Sequence, residues 1–196
     1  MPQLLRAAAG LLPLALLAGC SGPAVNVNAH TTFLTSGDLT TMTDQMAQSI
    51  VGDPEVARVV AQKPMIIVMK PVQNDTNEII PPSEKELYVH RVQVLLASQP
   101  LLRDKFVFVL NKADYEKLQQ EEGMTPQELG TPEDRVQPEY ALTGTFYAAT
   151  NASRNARTDT YLCTFRLTKL SGADAGIELW EGKYETRKHA VNGLLD

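Results

Sequence analysis

The chain is poor in the residues that covalent and metal chemistry use. Its 196 residues include two cysteines, Cys20 and Cys163, and three histidines, His30, His90 and His189. Two cysteines exclude a disulfide framework. The histidines are scattered and lack ligand spacing with cysteine or carboxylate, which argues against a zinc site. There is no Gly-rich phosphate loop, no GxSxG, no HExxH and no CxxC. No catalytic residue, metal or cofactor is therefore expected. Basic residues are also in deficit: 18 Lys and Arg face 23 Asp and Glu, a formal charge of −5 with no basic cluster. Such a chain is a poor candidate for nucleic-acid binding.

Long apolar runs are missing too, with one exception at the start. From Leu4 to Gly19 the only charge is Arg6, and Leu and Ala dominate. This run is shorter than the roughly 20 residues of a spanning helix. A positive amino-terminal region, an apolar stretch from Ala7, and small residues at Ala18 and Gly19 form the layout of a secretory signal. The tetrapeptide Leu17-Ala18-Gly19-Cys20 resembles the lipobox of bacterial lipoproteins. That resemblance implies cleavage before Cys20, diacylation of its thiol and acylation of the new amino terminus. Two or more acyl chains anchor stably where one is marginal. Ser21 follows the cysteine where retained lipoproteins carry Asp, which resembles the pattern for export to the outer membrane, facing the periplasm. Residues 1–19 are thus expected to be a signal peptide, 20–36 a lipidated cysteine with a flexible tether, and 37–196 one globular domain. The tether, SGPAVNVNAHTTFLTS, is small and polar without sustained period.

Within the domain, Leu39, Met42, Met46 and Ile50 recur at helical spacing and predict a helix over Asp38–Val51. Asp53-Pro54-Glu55 reads as N-cap, Pro at the first helical position and an acid in the first turn. MIIVMKPV, Met65–Val72, predicts a buried strand, and Gln73–Pro82 a loop. Ser83 and Glu86 have capping-box spacing ahead of a helix reaching about Ser98, with Tyr88, Val92, Leu95 and Leu96 on one side. Lys105–Leu110 predicts a strand, and Asn111 caps a helix over Lys112–Glu122 with Gly123 as its stop. A connection with three prolines leads to three strands, Tyr140–Thr150, Arg157–Leu170 and Ile177–Arg187. Cys163, Trp180 and Tyr184 on them read as packing residues. The fold class is α/β (α+β): a mixed sheet flanked by helices, mainly on one side.

The one polar cluster of note is Asn74-Asp75-Thr76-Asn77-Glu78, after a strand end, where partners and ligands dock in open α/β sheets. It reads as an Asx-rich turn or a partner-binding loop. A cation held by Asp75 and Glu78, or catalysis there, is a remote third reading.

Several stretches together resemble the LpoB family of penicillin-binding protein activator lipoproteins. They are the lipobox and tether, then GDLTTMTDQMAQSIV, PVQNDTNE, FVFVLNKADYEKLQQEEGMTPQELGT, PEYALTGTFYA and YLCTFRLTKLSGADAGIELWEGKYE, in that order from Gly37 to about Arg187. The family fold is related to the amino-terminal domain of TolB and to CsgG-like domains. The resemblance implies a non-enzymatic outer-membrane lipoprotein that binds and activates a class A penicillin-binding protein, regulating peptidoglycan synthesis. A CsgG-related assembly or secretion adaptor is the alternative on the same fold. Two departures stand out: a short tether with one proline, and RVQPE where the family usually has a helix.

Overall fold

The computed structural model describes residues 24–26, 32–122, 136–154 and 156–191. The expected signal segment, Cys20, Gly123 and most of the proline-bearing connection lie outside them.

Four helices and seven strands follow in the order β1 (Ala24–Asn26), α1 (Ser36–Gly52), α2 (Pro54–Gln62), β2 (Met65–Met69), β3 (Gln73–Asp75), α3 (Pro82–Ala97), β4 (Phe106–Val109), α4 (Lys112–Glu122), β5 (Tyr140–Ala152), β6 (Ala156–Lys169) and β7 (Glu178–Val191). The strands form one mixed sheet in the order β1-β7-β6-β5-β2-β4, with β3 also on β5. β5, β6 and β7 are joined as antiparallel hairpins, whereas β2, β3 and β4 pair parallel through helical crossovers. This matches the expected architecture, because short turns permit only antiparallel neighbours and parallel ones need a long return.

α1, α2 and α3 pack on one face of the sheet. The predicted stripe of α1 is buried at Met42, Met46 and Ile50, and α3 buries Tyr88, Val89, Val92 and Leu96. They meet the inward residues of the sheet: Met65 and Ile67, Phe106, Leu142 and Phe146, then Cys163, Phe165 and Leu167. Tyr88 lies against Phe146 at 5.2 Å between centroids, and Phe146 meets Phe165 edge-on at 6.3 Å. Each such side chain contributes about 1.5–3 kcal/mol by leaving water. Trp180 and Tyr184 are buried packing residues, as expected, and the Trp180 indole N–H donates to the Ser49 hydroxyl of α1 at 3.2 Å. Gly182, between them on β7, lets α1 come close: a Cβ there would sit 2.6 Å from the Met46 sulfur. Burial pushes the Cys163 thiol up to about 12, so it is a small apolar core residue and not a nucleophile.

Two local expectations are revised, and one cap forms that was not expected. α3 starts at Pro82 with Pro81 as a cap that makes no side-chain bond, so the Ser83–Glu86 box does not form. Proline at the first helical position sets the start earlier than the box would. A capping box does form at α1: the Asp38 amide donates to the Thr35 hydroxyl at 3.3 Å, and the Thr35 amide to the Asp38 carboxylate at 2.7 Å. Finally, β2 ends at Met69, and Gln73–Asp75, expected as loop, is a second short strand on the same side of β5. β2 pairs with Tyr140–Leu142 and β3 with Thr145–Tyr147, end to end, with Pro71 between them. β5 is thirteen residues long, and its backbone groups recruit the polar Gln-Asn-Asp segment.

Candidate functional site

The loop after β3 is built by its own side chains. The Asn74 carbonyl oxygen accepts from the Thr76 amide at 3.2 Å and from its hydroxyl at 2.7 Å. The Asn74 side-chain amide donates to the Glu78 carbonyl at 2.8 Å, and the Glu78 amide to the Thr76 hydroxyl at 3.1 Å. Asn74 and Thr76 are therefore structural, a closed Asx-type turn. Asp75 and Asn77 face solvent. Ile79, the next residue along, is 98 % exposed. Only Glu78 turns inward. The five residues read as one cluster thus divide into a frame, an exposed tip and a half-buried acid. Asp75 and Glu78 point to different environments. Among the described residues no three His, Cys, Asp or Glu side chains converge on a cation position.

Glu78 enters a buried polar belt at the end of the core. Asp159 on β6 is 1 % exposed and lies opposite Lys188 on β7. Lys188, itself buried, donates to the Asp38 carboxylate of α1. Arg157 donates to one Asp159 carboxylate oxygen at 2.8 Å. The chain segment entering α1 lies in this belt. The Thr32 hydroxyl bonds Asp159, the Leu34 amide donates to Glu78, and Thr35 bonds Asp38. Asp159 of β6, Glu78 of the loop after β3 and Asp38 of α1 thus each bond a residue of the segment 32–35.

Their electrostatics differ. Burial raises the Asp38 carboxyl, but Lys188 and Thr35 outweigh it and the net shift is downward. Burial raises Asp159 too, and Thr150, Thr32 and Arg157 reverse the sign. Glu78 has no such compensation: burial first, then the Asp159 charge, push it up to about 7 against weaker pulls from Arg157 and the Leu34 amide. One oxygen on each of Glu78 and Asp159 is buried without a hydrogen-bond partner. Sequence reading missed this belt, since Asp38, Asp159 and Lys188 are far apart along the chain. The only visible signal was a lysine and an aspartate at inward positions of otherwise apolar strands.

A second feature lies where the strand order reverses. β2 sits between β4 and β5, and a crevice opens at the carboxyl ends of β2 and β4. One part, about 550 Å³, is lined by Lys70, Val72, His90 and Asn111. An adjoining part, about 800 Å³, is lined by Val68, Leu110, Lys112, Tyr115 and Leu170. This is the usual docking position in open α/β sheets, and no spacing rule along the chain points to its residues.

Among the described residues no helix is long and apolar enough to cross a membrane. No curated protein sequence matches the chain at a significant level. Among solved structures, the LpoB C-terminal domain from Escherichia coli matches at 17 % identity over 76 % of this chain and 97 % of that one, with a TM-score of 0.41. The corresponding domain from Salmonella enterica matches at 19 % identity over 76 % and 96 %, with a TM-score of 0.37. Lipoprotein GNA1162 from Neisseria meningitidis matches at 20 % identity over 64 % and 84 %, with a TM-score of 0.33. The model of the peptidoglycan-synthase activator LpoB matches residues 38–186, from the first turn of α1 to the strand β7. The chain belongs to the LpoB family of peptidoglycan-synthase activators.

Proposed function

We propose that this chain is an outer-membrane lipoprotein, held by lipid on Cys20, that faces the periplasm and activates a class A penicillin-binding protein. Family membership implies an activator of a penicillin-binding protein, a regulator and not an enzyme, and a lipoprotein of the cell envelope. The match over residues 38–186 carries the reading, and it does not favour the secretion-adaptor alternative. The membrane, the lipid and the class of synthase extend it from the lipobox and Ser21.

Activation of this kind needs a surface that binds the active state of the synthase more tightly than the resting one. The tip of the Asn74–Glu78 loop is our candidate. Asp75 and Asn77 offer polar contacts beside Ile79, an apolar side chain of the sort that anchors a protein interface. The loop's internal hydrogen bonds do not use these side chains, so the tip can be changed at little cost to the fold.

The test uses the mature chain with Cys20→Ala and a class A synthase of the same organism. Binding, with faster glycan polymerisation or crosslinking, is the expected result. No binding and no change of rate would overturn the activator reading. Ile79→Ser with Asn77→Ala should weaken binding at least tenfold and leave thermal unfolding unchanged; unaltered binding would move the docking face elsewhere. Labelled palmitate incorporation, abolished by Cys20→Ala, tests the anchor separately.

A further inference from the structure

The segment between the lipidation site and the domain is not uniformly a tether. Ala24–Asn26 pairs with Thr186–Lys188 at the edge of the sheet. Residues 32–35 then lie on Asp159, Glu78 and Asp38. Thr32 is buried and Leu34 packs against the core. The backbone between these points is thus fastened twice, and the second fastening is made by carboxylates.

Two of those carboxylates are in conflict. The Asp159 charge acts on Glu78, both bond the strap, and each keeps one buried oxygen without a hydrogen-bond partner. A buried oxygen left so costs about 1–3 kcal/mol, more if charged. Among the described residues no second cation is free to pair with Glu78. From β6 the charges of Asp159 and Arg157 act on it, and Arg157 is engaged with Asp159. From α3 Tyr88 lies within reach of its charge. Lys188 of β7 is committed to Asp38 of α1. The strap itself, Thr32-Phe33-Leu34-Thr35, carries no titratable side chain.

We infer that the Glu78–Asp159 pair is a proton-operated clasp that fastens residues 32–35 to the domain ahead of α1. With Glu78 protonated, the strap is seated on one charge. When Glu78 ionises, two like charges share a buried seat and the seated state weakens.

The direction follows from linkage. Seated, Glu78 titrates near 7; unseated, it returns to its ordinary value near 4.5. The seated state therefore holds more protons between these values. Seating is favoured most below the ordinary value and is lost as pH rises past the seated one. Low pH thus keeps residues 32–35 seated, and neutral to alkaline pH frees them while β1 stays paired with β7.

The test follows amide exchange in the full chain, purified in detergent, at pH 5.5, 6.5 and 7.5, with rates corrected for intrinsic exchange. Protection at Phe33, Leu34 and Thr35 should fall about tenfold across that range, while Cys163 and Phe165 in the sheet keep theirs. Glu78→Gln keeps an acceptor for the Leu34 amide and removes the charge, so its strap should stay protected at every pH. Asp159→Asn should shrink the pH response by relieving the repulsion. A strap whose protection is flat with pH in the wild type, or equally pH-dependent in Glu78→Gln, overturns the clasp. So does a response that chelator or added calcium, and not protons, controls. No synthase or membrane enters the measurement, so its failure is distinct from failure of the activator reading.

Discussion

Lys188→Met removes the cation from the belt and leaves Asp38 in place. Both side chains are nearly inaccessible, 3 % and 6 % exposed, so the carboxylate stranded by the change has little water to turn to. Breaking a buried pair from one side costs about 3–5 kcal/mol. Here the Thr35 amide and hydroxyl still donate to Asp38, at 2.7 and 2.6 Å, which puts the loss at the lower end, about 3 kcal/mol. In a domain of this size that lowers the melting temperature by roughly 6–12 °C. Adding Asp38→Asn removes the stranded charge and keeps a cap acceptor, so the double variant should regain about half of the loss. The pH profile carries the sharper signature. In the wild type the Asp38 carboxyl lies below its ordinary value, so its stabilisation is present above about pH 4 and lost as pH falls through the folded value. Without Lys188 burial dominates, the carboxyl shifts up, and acidification from pH 7 to 5 should raise the melting temperature of the single variant. Urea and thermal unfolding followed by circular dichroism measure all three chains. A single variant within about 1 kcal/mol of wild type, or a double variant no better than the single, would refute the account of Lys188 as the obligatory partner of a buried charge.

Other consequences are simpler to check. Thr35→Ala should cost about 1 kcal/mol by removing the α1 cap, whereas Ser83→Ala should change stability by less than about 0.5 kcal/mol, because Ser83 caps nothing; denaturant midpoints compare the two. Gly182→Val should destabilise by more than about 2 kcal/mol, since its Cβ would meet both Trp180 and Met46; a smaller loss means α1 can shift off the sheet cheaply. Cys163 should stay unmodified by a thiol reagent in native protein and react fully in 6 M guanidinium, in keeping with its raised thiol.

The parts of the fold that announce themselves along the chain are those set by local rules. The stripe Met42-Met46-Ile50, the Asp53-Pro54 start of α2, the Asn111 cap of α4, and the alternation of TFRLTKL all depend on neighbours within one element. The Asp114 amide does donate to Asn111, at 3.0 Å. What stayed hidden depends on distant partners. Gln-Asn-Asp has no strand character of its own and becomes β3 because β5 passes beside it. Ala24–Asn26 becomes β1 because β7 has a free edge there. At α3 two local rules competed, and the prolines prevailed over Ser83 and Glu86. The Asn74–Glu78 cluster was visible as a polar loop, but its division into frame, tip and inward acid was not. Glu78 is assigned by Asp159, eighty-one positions further on.

β1 has a role that its three residues do not suggest. β7 is the outermost long strand, and an unpaired stretch of its backbone is a template on which another chain's strand can add. Ala24–Asn26 occupies that template at Thr186–Lys188. This short segment is thus also a guard against strand-by-strand self-association. A version of the protein trimmed to begin at α1 would keep its core and its helices but bare the edge, and with it gain a tendency to pair with copies of itself.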